Sequence, residues 1–514
     1  MIILVHNGLD VIEVLNEDLK PLECSFKTGS ISATLLSLAN GHKDALLVWC
    51  HTQLKNQINF KEFQNIFHHK RIFASYNPSK QNYLPEQIGY VERSCFLNVN
   101  KTVTYPTWVT SSFIGGVNTS VINILKNELT ANNSFDYFLN SMAKRGMSEG
   151  LFCYSEPKLL RSIEVKIPEI KPASIYTLYQ FIWQHYKWVW VFFLTLCYII
   201  YEKKLPLLQL VKSLFYKPLR NHFNLEAIVI QSQKKEVIRK EIDVIIPTIG
   251  RKKYLYDVLK DLAKQTILPK NVIIVEQNPL ETSTSELDYL KTEDWPFIIR
   301  HTFTHQAGVC NARNIALGLV TSDWVFFADD DIRFNIDFFE KTFKKITTLK
   351  IDVISYLCLQ PHQKQTYFKL EQTIVFGSGS SFCSRKAIEN LKFNMAYEFG
   401  FGEDADFGMQ IRNKGFDVFF VPDIKITHLK APMGGFRTKI KQRWADDVIQ
   451  PKPSPTVMLL NQTYYTKFQL LGYKLVLGLR YYKNSTIKNP ITYIKKYRKQ
   501  WERSQFWFSE LKVR

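Results

Sequence analysis

Residues 323–331 read DWVFFADDD, an aromatic, apolar run that ends in Asp329, Asp330 and Asp331. The run has the makeup of a strand buried on both faces. Three consecutive carboxylates after it repel one another and border a dry core, which is a costly arrangement. A hard divalent cation relieves that cost, and Mg2+ or Mn2+ prefers oxygen ligands. Alternation at a strand end points Asp329 and Asp331 one way and Asp330 the other. Asp329 and Asp331 can therefore meet a metal and a diphosphate together. An acidic turn without a ligand is the plain alternative.

The flanking sequence builds a nucleotide-binding rim around this stretch. Ile242–Pro247 (IDVIIP) reads as a buried parallel strand, Tyr254–Gln265 has helical spacing at Leu255, Val258, Leu259 and Leu262, and Asn271–Val275 (NVIIV) reads as a second strand. Strand, helix and strand make a right-handed crossover unit. Ligands of such sheets bind beyond the carboxyl ends of the strands, which places Pro247, Thr248, Arg251 and Glu276 on one rim. Glu276 could hold a ribose hydroxyl or a base edge.

Further along, FGFGEDADF (399–407) precedes a helix expected over Gly408–Lys414. Glu403, Asp404 and Asp406 suit a helix N-terminus as capping charges, or supply a general base beside the rim. Val418–Val421 reads as a strand leading to His428, whose imidazole could complete a metal shell with Asp331.

In this order the stretches IIPTIGR, IIVEQN, GVCNARN, FFADDD, GSGSSFCSRKAI, GFGEDADFGMQIRNKG and THL resemble the family 2 glycosyltransferases of GT-A fold, from Ile242 to about Asp447. The resemblance implies that Pro247, Thr248 and Glu276 contact the nucleotide, and that Gly308, Arg313 and Asn314 shape the donor site. It implies a metal-binding DxD pair at Asp329 and Asp331, a general base at Asp404 of the Glu403-Asp404 pair, and a metal-ligating His428. Many members carry Asp where this chain has Glu276. The family inverts the anomeric centre in one displacement.

The N-terminal zone repeats parts of this pattern. LLVWCHT (46–52) aligns with VFFADDD (325–331), FIGGV (113–117) with FGSGS (376–380), and FDYFLNSMAKRG (135–146) with DADFGMQIRNKG (404–415). That alignment puts Cys50, His51 and Thr52 at the acid positions, and Ser134-Phe135 at the Glu403-Asp404 position. Those residues cannot build the same hard-cation site, so a degenerate, silent copy is expected. A coincidental α/β resemblance is the alternative, and the strand orders of the two halves discriminate.

The chain has 514 residues, 67 Lys+Arg against 47 Asp+Glu, and hence a formal charge of +20. Apolar residues at 46% exclude a disordered or low-complexity protein. A mean hydropathy of −0.16 excludes a polytopic membrane protein. The excess charge calls for an anionic partner. The eight cysteines form no CxxC pair, so no disulfide framework or zinc site is expected, and a reducing compartment is. The N-terminus reads as a first strand and not as a signal peptide.

Two segments have the character of a membrane surface. Ile175–Tyr201 is apolar and aromatic, broken only by His185 and Lys187, with bases on both sides (Lys158, Arg161, Lys166 and Lys171; Lys203, Lys204, Lys212, Lys217 and Arg220). The length is borderline for a span, and the symmetric bases favour an in-plane helix; a buried interdomain helix is the alternative. From Leu471 to Arg514, eleven bases oppose only Glu502 and Glu510 and interleave with aromatics such as Tyr493, Tyr497, Trp501 and Trp507. That composition suits an anionic lipid surface, a solvated helix face being the alternative.

The expected architecture is α/β. It comprises a degenerate GT-A-like domain (1–165), an apolar helical membrane-associated linker (166–235), a catalytic GT-A domain (236–450), both with mostly parallel sheets, and a basic helical tail (451–514). The expected function is metal-dependent inverting transfer from a nucleotide-sugar donor to a glycan or lipid-linked acceptor. It would serve surface polysaccharide synthesis at the cytoplasmic face of the membrane, with Mn2+ or Mg2+ and no nucleic-acid partner. A silent glycan-binding scaffold and a basic nucleic-acid-binding protein are the competing readings.

Overall fold

The computed structural model describes residues 1–514 except 23–29, 80, 95–96, 127–133, 162–170, 220–222, 236–237, 432–440 and 513–514. Cys24, Cys95, Lys166, Arg220 and Arg514 lie outside the described residues. The chain divides into two compact units, residues 1–235 with 465–475, and residues 236–464 with 476–514.

The first unit holds β1 (Ile2–His6), β2 (Val11–Leu15), β3 (Leu46–His51), β4 (Ile72–Tyr76), β5 (Tyr105–Pro106), β6 (Ile114–Asn118) and β7 (Phe152–Ser155). They pair in the order β2-β1-β3-β6-β4-β7-β5. The second unit holds β8 (Ile242–Thr248), β9 (Asn271–Gln277), β10 (Ile298–Thr304), β11 (Trp324–Ala328), β12 (Ile332–Arg333), β13 (Val353–Leu359), β14 (Glu371–Gln372), β15 (Ser380–Ser384) and β16 (Phe419–His428). Their order is β10-β9-β8-β11-β15-β13-β16-β12, with β14 beside β16.

The expected strands are present, and β8, β9 and β11 are buried along their whole length. The sheets are less parallel than expected. In the second unit β10, β9, β8 and β11 are parallel, but β15 runs against both its neighbours. The helix after β8 spans Lys252–Ala263, slightly earlier than its apolar spacing suggested. The helix after FGFG begins at Glu403, not Gly408, because Gly402 at φ 119° turns the chain into it.

Five strands repeat between the units. β1-β3-β6-β4-β7 and β8-β11-β15-β13-β16 have the same order along the chain and the same pattern of parallel and antiparallel neighbours. Beyond these five the edges differ: the antiparallel β2 stands in place of the parallel β9 and β10, and the strand beside β7 is β5, whereas β16 carries β12 and β14, which come from other points along the chain.

The ladder corrects the sequence alignment of the halves. His51 donates its N–H to Phe113 O as Asp329 donates to Gly379 O, and Cys50 pairs with Ile114 as Ala328 pairs with Ser380. His51 therefore takes the place of Asp329, one residue on from the alignment. Ser112 N–H donates to Asp136 Oδ1 (3.0 Å) as Ser378 N–H donates to Asp404 Oδ1 (3.1 Å). Asp136, not Phe135, is thus the counterpart of Asp404.

The apolar segment at 175–201 is short helices, Ile175–His185 and Val189–Cys197, followed by Leu207–Ser213. Leu178, Phe181, Ile182, Val191 and Leu194 lie in the core of the first unit. Among the described residues no helix is long and apolar enough to cross a membrane. The tail folds as Pro455–Tyr464, Lys467–Lys483 and Pro490–Lys512. Part of its aromatic content turns inward. Tyr493, Tyr497 and Trp501 recur every four residues and are buried, while Lys495, Lys496, Arg498 and Lys499 face outward. The described cysteines are free.

Glu92 is the polar knot of the first unit. Its buried carboxylate accepts from Lys144 Nζ (2.5 Å), Trp108 Nε1 (3.1 Å), Tyr186 Oη (2.6 Å) and Ser94 N–H (2.9 Å). Burial alone would raise this carboxyl, but Lys144, Tyr186 and Ser94 outweigh it and hold the pKa below the ordinary carboxylate value. That stabilisation is present above the unfolded pKa of about 4.3 and is lost as pH falls through the lowered native value. Glu92→Ala leaves Lys144 without its partner and is expected to destabilise the first unit by about 3 kcal/mol. Urea unfolding of wild type and variant at pH 7 checks this, and an unchanged midpoint would refute it.

Candidate active site

The three aspartates at the end of β11 separate as strand alternation requires. Asp330 turns toward β8. It accepts from Thr248 Oγ1 (2.7 Å) and Arg251 Nη1 (2.5 Å), and burial pushes its carboxyl up to about 6 against the pull of Arg251. Thr248 and Arg251 are therefore brought to the rim, but engaged with Asp330. Pro247 and Thr248 sit buried in β8, in register with Val275 and Glu276 of β9.

Asp329, Asp331 and His428 converge, with one ligand atom from each lying within 4.8 Å of the others. Topology explains the third member: β12 follows the aspartates directly and pairs antiparallel with β16, setting Ile332 opposite His428. Asp331 is fixed through Oδ2 by Ala431 N–H (2.8 Å), and its backbone carbonyl accepts from Leu429 N–H. His428 Nε2 stands 3.0 Å from Asp331 Oδ1. His428 is the one partner of this buried oxygen among the described residues. Two carboxylates and an imidazole brought together in this way fit a hard divalent cation.

Two guanidinium groups border the cluster: Arg251 Nη1 lies 3.4 Å from Asp331 Oδ2, and Arg313 lies beside Asp329. Arg313 is buried, its Nη2 lies 3.4 Å from Asp329 Oδ1, and its guanidinium is 5.4 Å from the Phe393 ring centre. Burial nonetheless raises the Asp329 carboxyl above its ordinary value.

A loop that the sequence reading passed over joins the two acid clusters. Ser378 donates both its N–H and its hydroxyl to Asp404 Oδ1. At Gly379 a Cβ would stand 2.2 Å from the Asp329 carboxyl carbon, so only glycine leaves room for that side chain. The GSGSS motif carried this signal, but the long-range partners of its residues are invisible in sequence. Glu403 lies in the same helical turn as Asp404, and burial followed by the charge of Asp404 raises its carboxyl.

Other expected site residues have structural partners. Glu276 accepts from Ser285 Oγ (2.5 Å), Glu286 N–H (3.0 Å) and His301 Nε2 (2.9 Å), so its carboxylate is held within the rim. Asn314 clamps Phe393 through both its backbone groups (2.7 and 2.8 Å). Gly308 has φ 143°, donates to Gln277 Oε1 (2.6 Å) and leaves space for Glu398; a Cβ there would meet Oε2 at 2.3 Å. Glu398 in turn accepts from the N–H groups of Cys310 (3.1 Å) and Asn311 (2.8 Å), capping the Val309–Leu317 helix that carries Arg313.

Residues 243–406 match the family model "Glycosyl transferase family 2", and this stretch is a domain of that family with the α/β architecture described above. No curated protein matches the chain. Solved structures similar to it include S. aureus TarS, at 20% identity over 37% of this chain and 37% of that one, with a TM-score of 0.31. S. aureus TarS 1–349 in complex with UDP-GlcNAc is 18% identical over 39% of this chain and 62% of that one, with a TM-score of 0.30. The chain thus spans less than two thirds of the length of these structures.

Gly379→Ala forces the Asp329 carboxyl aside without altering a ligand. Mn2+ affinity measured by calorimetry on the full chain is expected to fall by about 10- to 100-fold with the thermal midpoint nearly unchanged. Unaltered Mn2+ binding would show that Asp329 is not a ligand.

Proposed function

We propose that this chain, through its family 2 glycosyl transferase domain, moves a sugar from a nucleotide-sugar donor to a glycan or lipid-linked acceptor with inversion at the anomeric carbon. The reading is carried by one observation: a convergent Asp329, Asp331 and His428 cluster, joined by one short loop to the Ser378-held Asp404.

Asp329, Asp331 and His428 would hold Mn2+ or Mg2+. When bound, the cation supplies positive charge for the departing nucleoside diphosphate. Arg313 adds a fixed cation beside Asp329. Asp404 takes the proton of the acceptor hydroxyl as that oxygen bonds to the anomeric carbon and the bond to the diphosphate breaks. Ser378 fixes one oxygen of Asp404 and so orients the other toward the acceptor. Thr248 and Arg251 keep Asp330 out of the ligand set by binding both its oxygens. Glu276 orders the nucleotide end of the rim through Ser285 and His301.

The first unit has the same five-strand framework with His51 in place of Asp329. We assign it a non-catalytic role in acceptor binding or pairing. The setting we infer is surface polysaccharide synthesis at the cytoplasmic face of a membrane.

Turnover of a nucleotide-sugar panel that includes UDP-GlcNAc, with Mn2+, tests the assignment. Asp331→Ala and Asp404→Asn are each expected to lose about 100-fold or more in donor hydrolysis, and chelation of the metal is expected to abolish wild-type turnover. Equal turnover in wild type and both variants would refute the site.

A further inference from the structure

The membrane setting rests on a surface, and the structure distinguishes two candidates for it. The basic tail turns Tyr493, Tyr497 and Trp501 inward and presents its bases outward, with Ile491, Ile494 and Phe506 exposed among them. The segment after Tyr186 does the reverse. Its helix buries Val191, Leu194 and Cys197 in the first unit and leaves Trp188 (58% exposed), Phe192 and Ile199 in solvent. At 100° per residue Trp188 and Phe192 fall about 40° apart, so they share one face, and Ile199 is exposed in the turn that follows. The next helix, Leu207–Ser213, exposes Leu207, Leu208 (72%) and Val211, and Phe215 just beyond it is 85% exposed.

An apolar surface of this density is unusual on a solvated protein and marks a docking face. Its charges choose the partner. Lys187, Lys203, Lys204, Lys212 and Lys217 are all exposed among these residues. Glu202 is the only acid from Ile175 to Leu219, and it accepts from Tyr90 Oη (3.0 Å). A second copy meeting this face about a two-fold axis would bring like lysines together. An anionic lipid leaflet presents the opposite charge and an apolar layer beneath it.

The reach also matches a leaflet and not a span. Val189–Cys197 continues as a π turn through Glu202, about 21 Å in all at 1.5 Å per residue, against about 30 Å of hydrocarbon. We propose that the Trp188–Phe215 surface lies in the plane of one anionic leaflet, inserting Trp188, Phe192, Leu208 and Phe215 while its lysines meet lipid phosphates. The proposal rests on the membrane setting inferred above and names the surface that serves it.

Flotation of the full chain with phosphatidylcholine vesicles, with and without 30 mol% phosphatidylglycerol, tests this. Wild type is expected to float with the anionic vesicles. The triple variant Trp188→Ser, Leu208→Ser, Phe215→Ser is expected to lose at least tenfold in partitioning. Lys203→Gln, Lys204→Gln, Lys212→Gln should remove the preference for anionic lipid. The tail variant Lys495→Gln, Lys496→Gln, Lys499→Gln should float as wild type does. Thermal midpoint and donor hydrolysis, measured in detergent on the same samples, should not change. That separates this proposal from the catalytic assignment, which stands or falls on hydrolysis alone. Flotation unaffected by the apolar triple variant, or lost only with the tail variant, would overturn the proposal. So would a dimer of the wild type that the apolar variant converts to monomer while vesicle binding stays unchanged.

Discussion

Three adjacent carboxylates at the rim of a dry sheet are the constraint on which the second unit depends. Two like charges 4 Å apart repel by about 4 kcal/mol at an effective dielectric of 20, so three cannot coexist there without compensation. Each aspartate receives a different one. Asp330 is taken up by Thr248 and Arg251. Asp329 has Arg313 at 3.4 Å and the space that Gly379 leaves. Asp331 has the Ala431 N–H and, at 3.4 Å, Arg251 on one oxygen, while the other stands 3.0 Å from His428 Nε2. Burial still raises the carboxyls of Asp329 and Asp330, whereas at Asp331 His428, Ala431 and Arg251 together outweigh it and hold the carboxyl below its ordinary value. Asp329 and Asp331 point the same way beside His428, and that set of ligands is arranged to be completed by a cation.

The first unit is an internal control for that argument. It builds the same five strands in the same order, and there His51 occupies the place of Asp329. The framework therefore closes without the acids, and their presence in the second unit is not a requirement of the fold. Where a feature breaks local rules of stability and the scaffold does not need it, function is the remaining reason. The Ser-to-Asp contact survives in both units, as Ser112 with Asp136 and Ser378 with Asp404. That contact ties a loop to a helix N-terminus in either setting. In the second unit alone the same loop also clears a place for Asp329.

The strands of the second unit were legible because buried parallel strands are written as unbroken apolar runs. IDVIIP, NVIIV and WVFFA each became a fully buried strand. The carboxylate triplet was legible because it is expensive and therefore conspicuous. Ser378, Gly379 and Glu398 were not. Each acts through a partner in another element, and nothing local marks a serine as the clamp of an aspartate twenty-six residues away. Glu276 was expected on the rim and Asn314 and Gly308 in the donor site, but their partners His301, Phe393 and Glu398 come from elsewhere in the sequence. The alignment of the two halves slipped by one residue for a related reason. Apolar runs align equally well in either register, and only the ladder between β3 and β6 fixes His51 opposite the loop.

Aromatic residues in the two basic segments serve opposite ends. In the Pro490–Lys512 helix, Tyr493, Tyr497 and Trp501 are spaced four apart, the period of a single helical stripe, and a stripe that regular is the inner face of an amphipathic helix. The lysines between them are then its solvent face, and interleaving in sequence becomes separation in space. Between Trp188 and Phe215 apolar residues exceed what one stripe can hold. The core takes Val191, Leu194 and Cys197, and a second set, Trp188, Phe192 and Ile199, is left facing out. The tail is the more highly charged of the two and the Trp188–Phe215 segment the more apolar. Periodicity adds what composition leaves open: in the tail the regular aromatic stripe is taken by the fold, whereas between Trp188 and Phe215 a second apolar set remains for a partner.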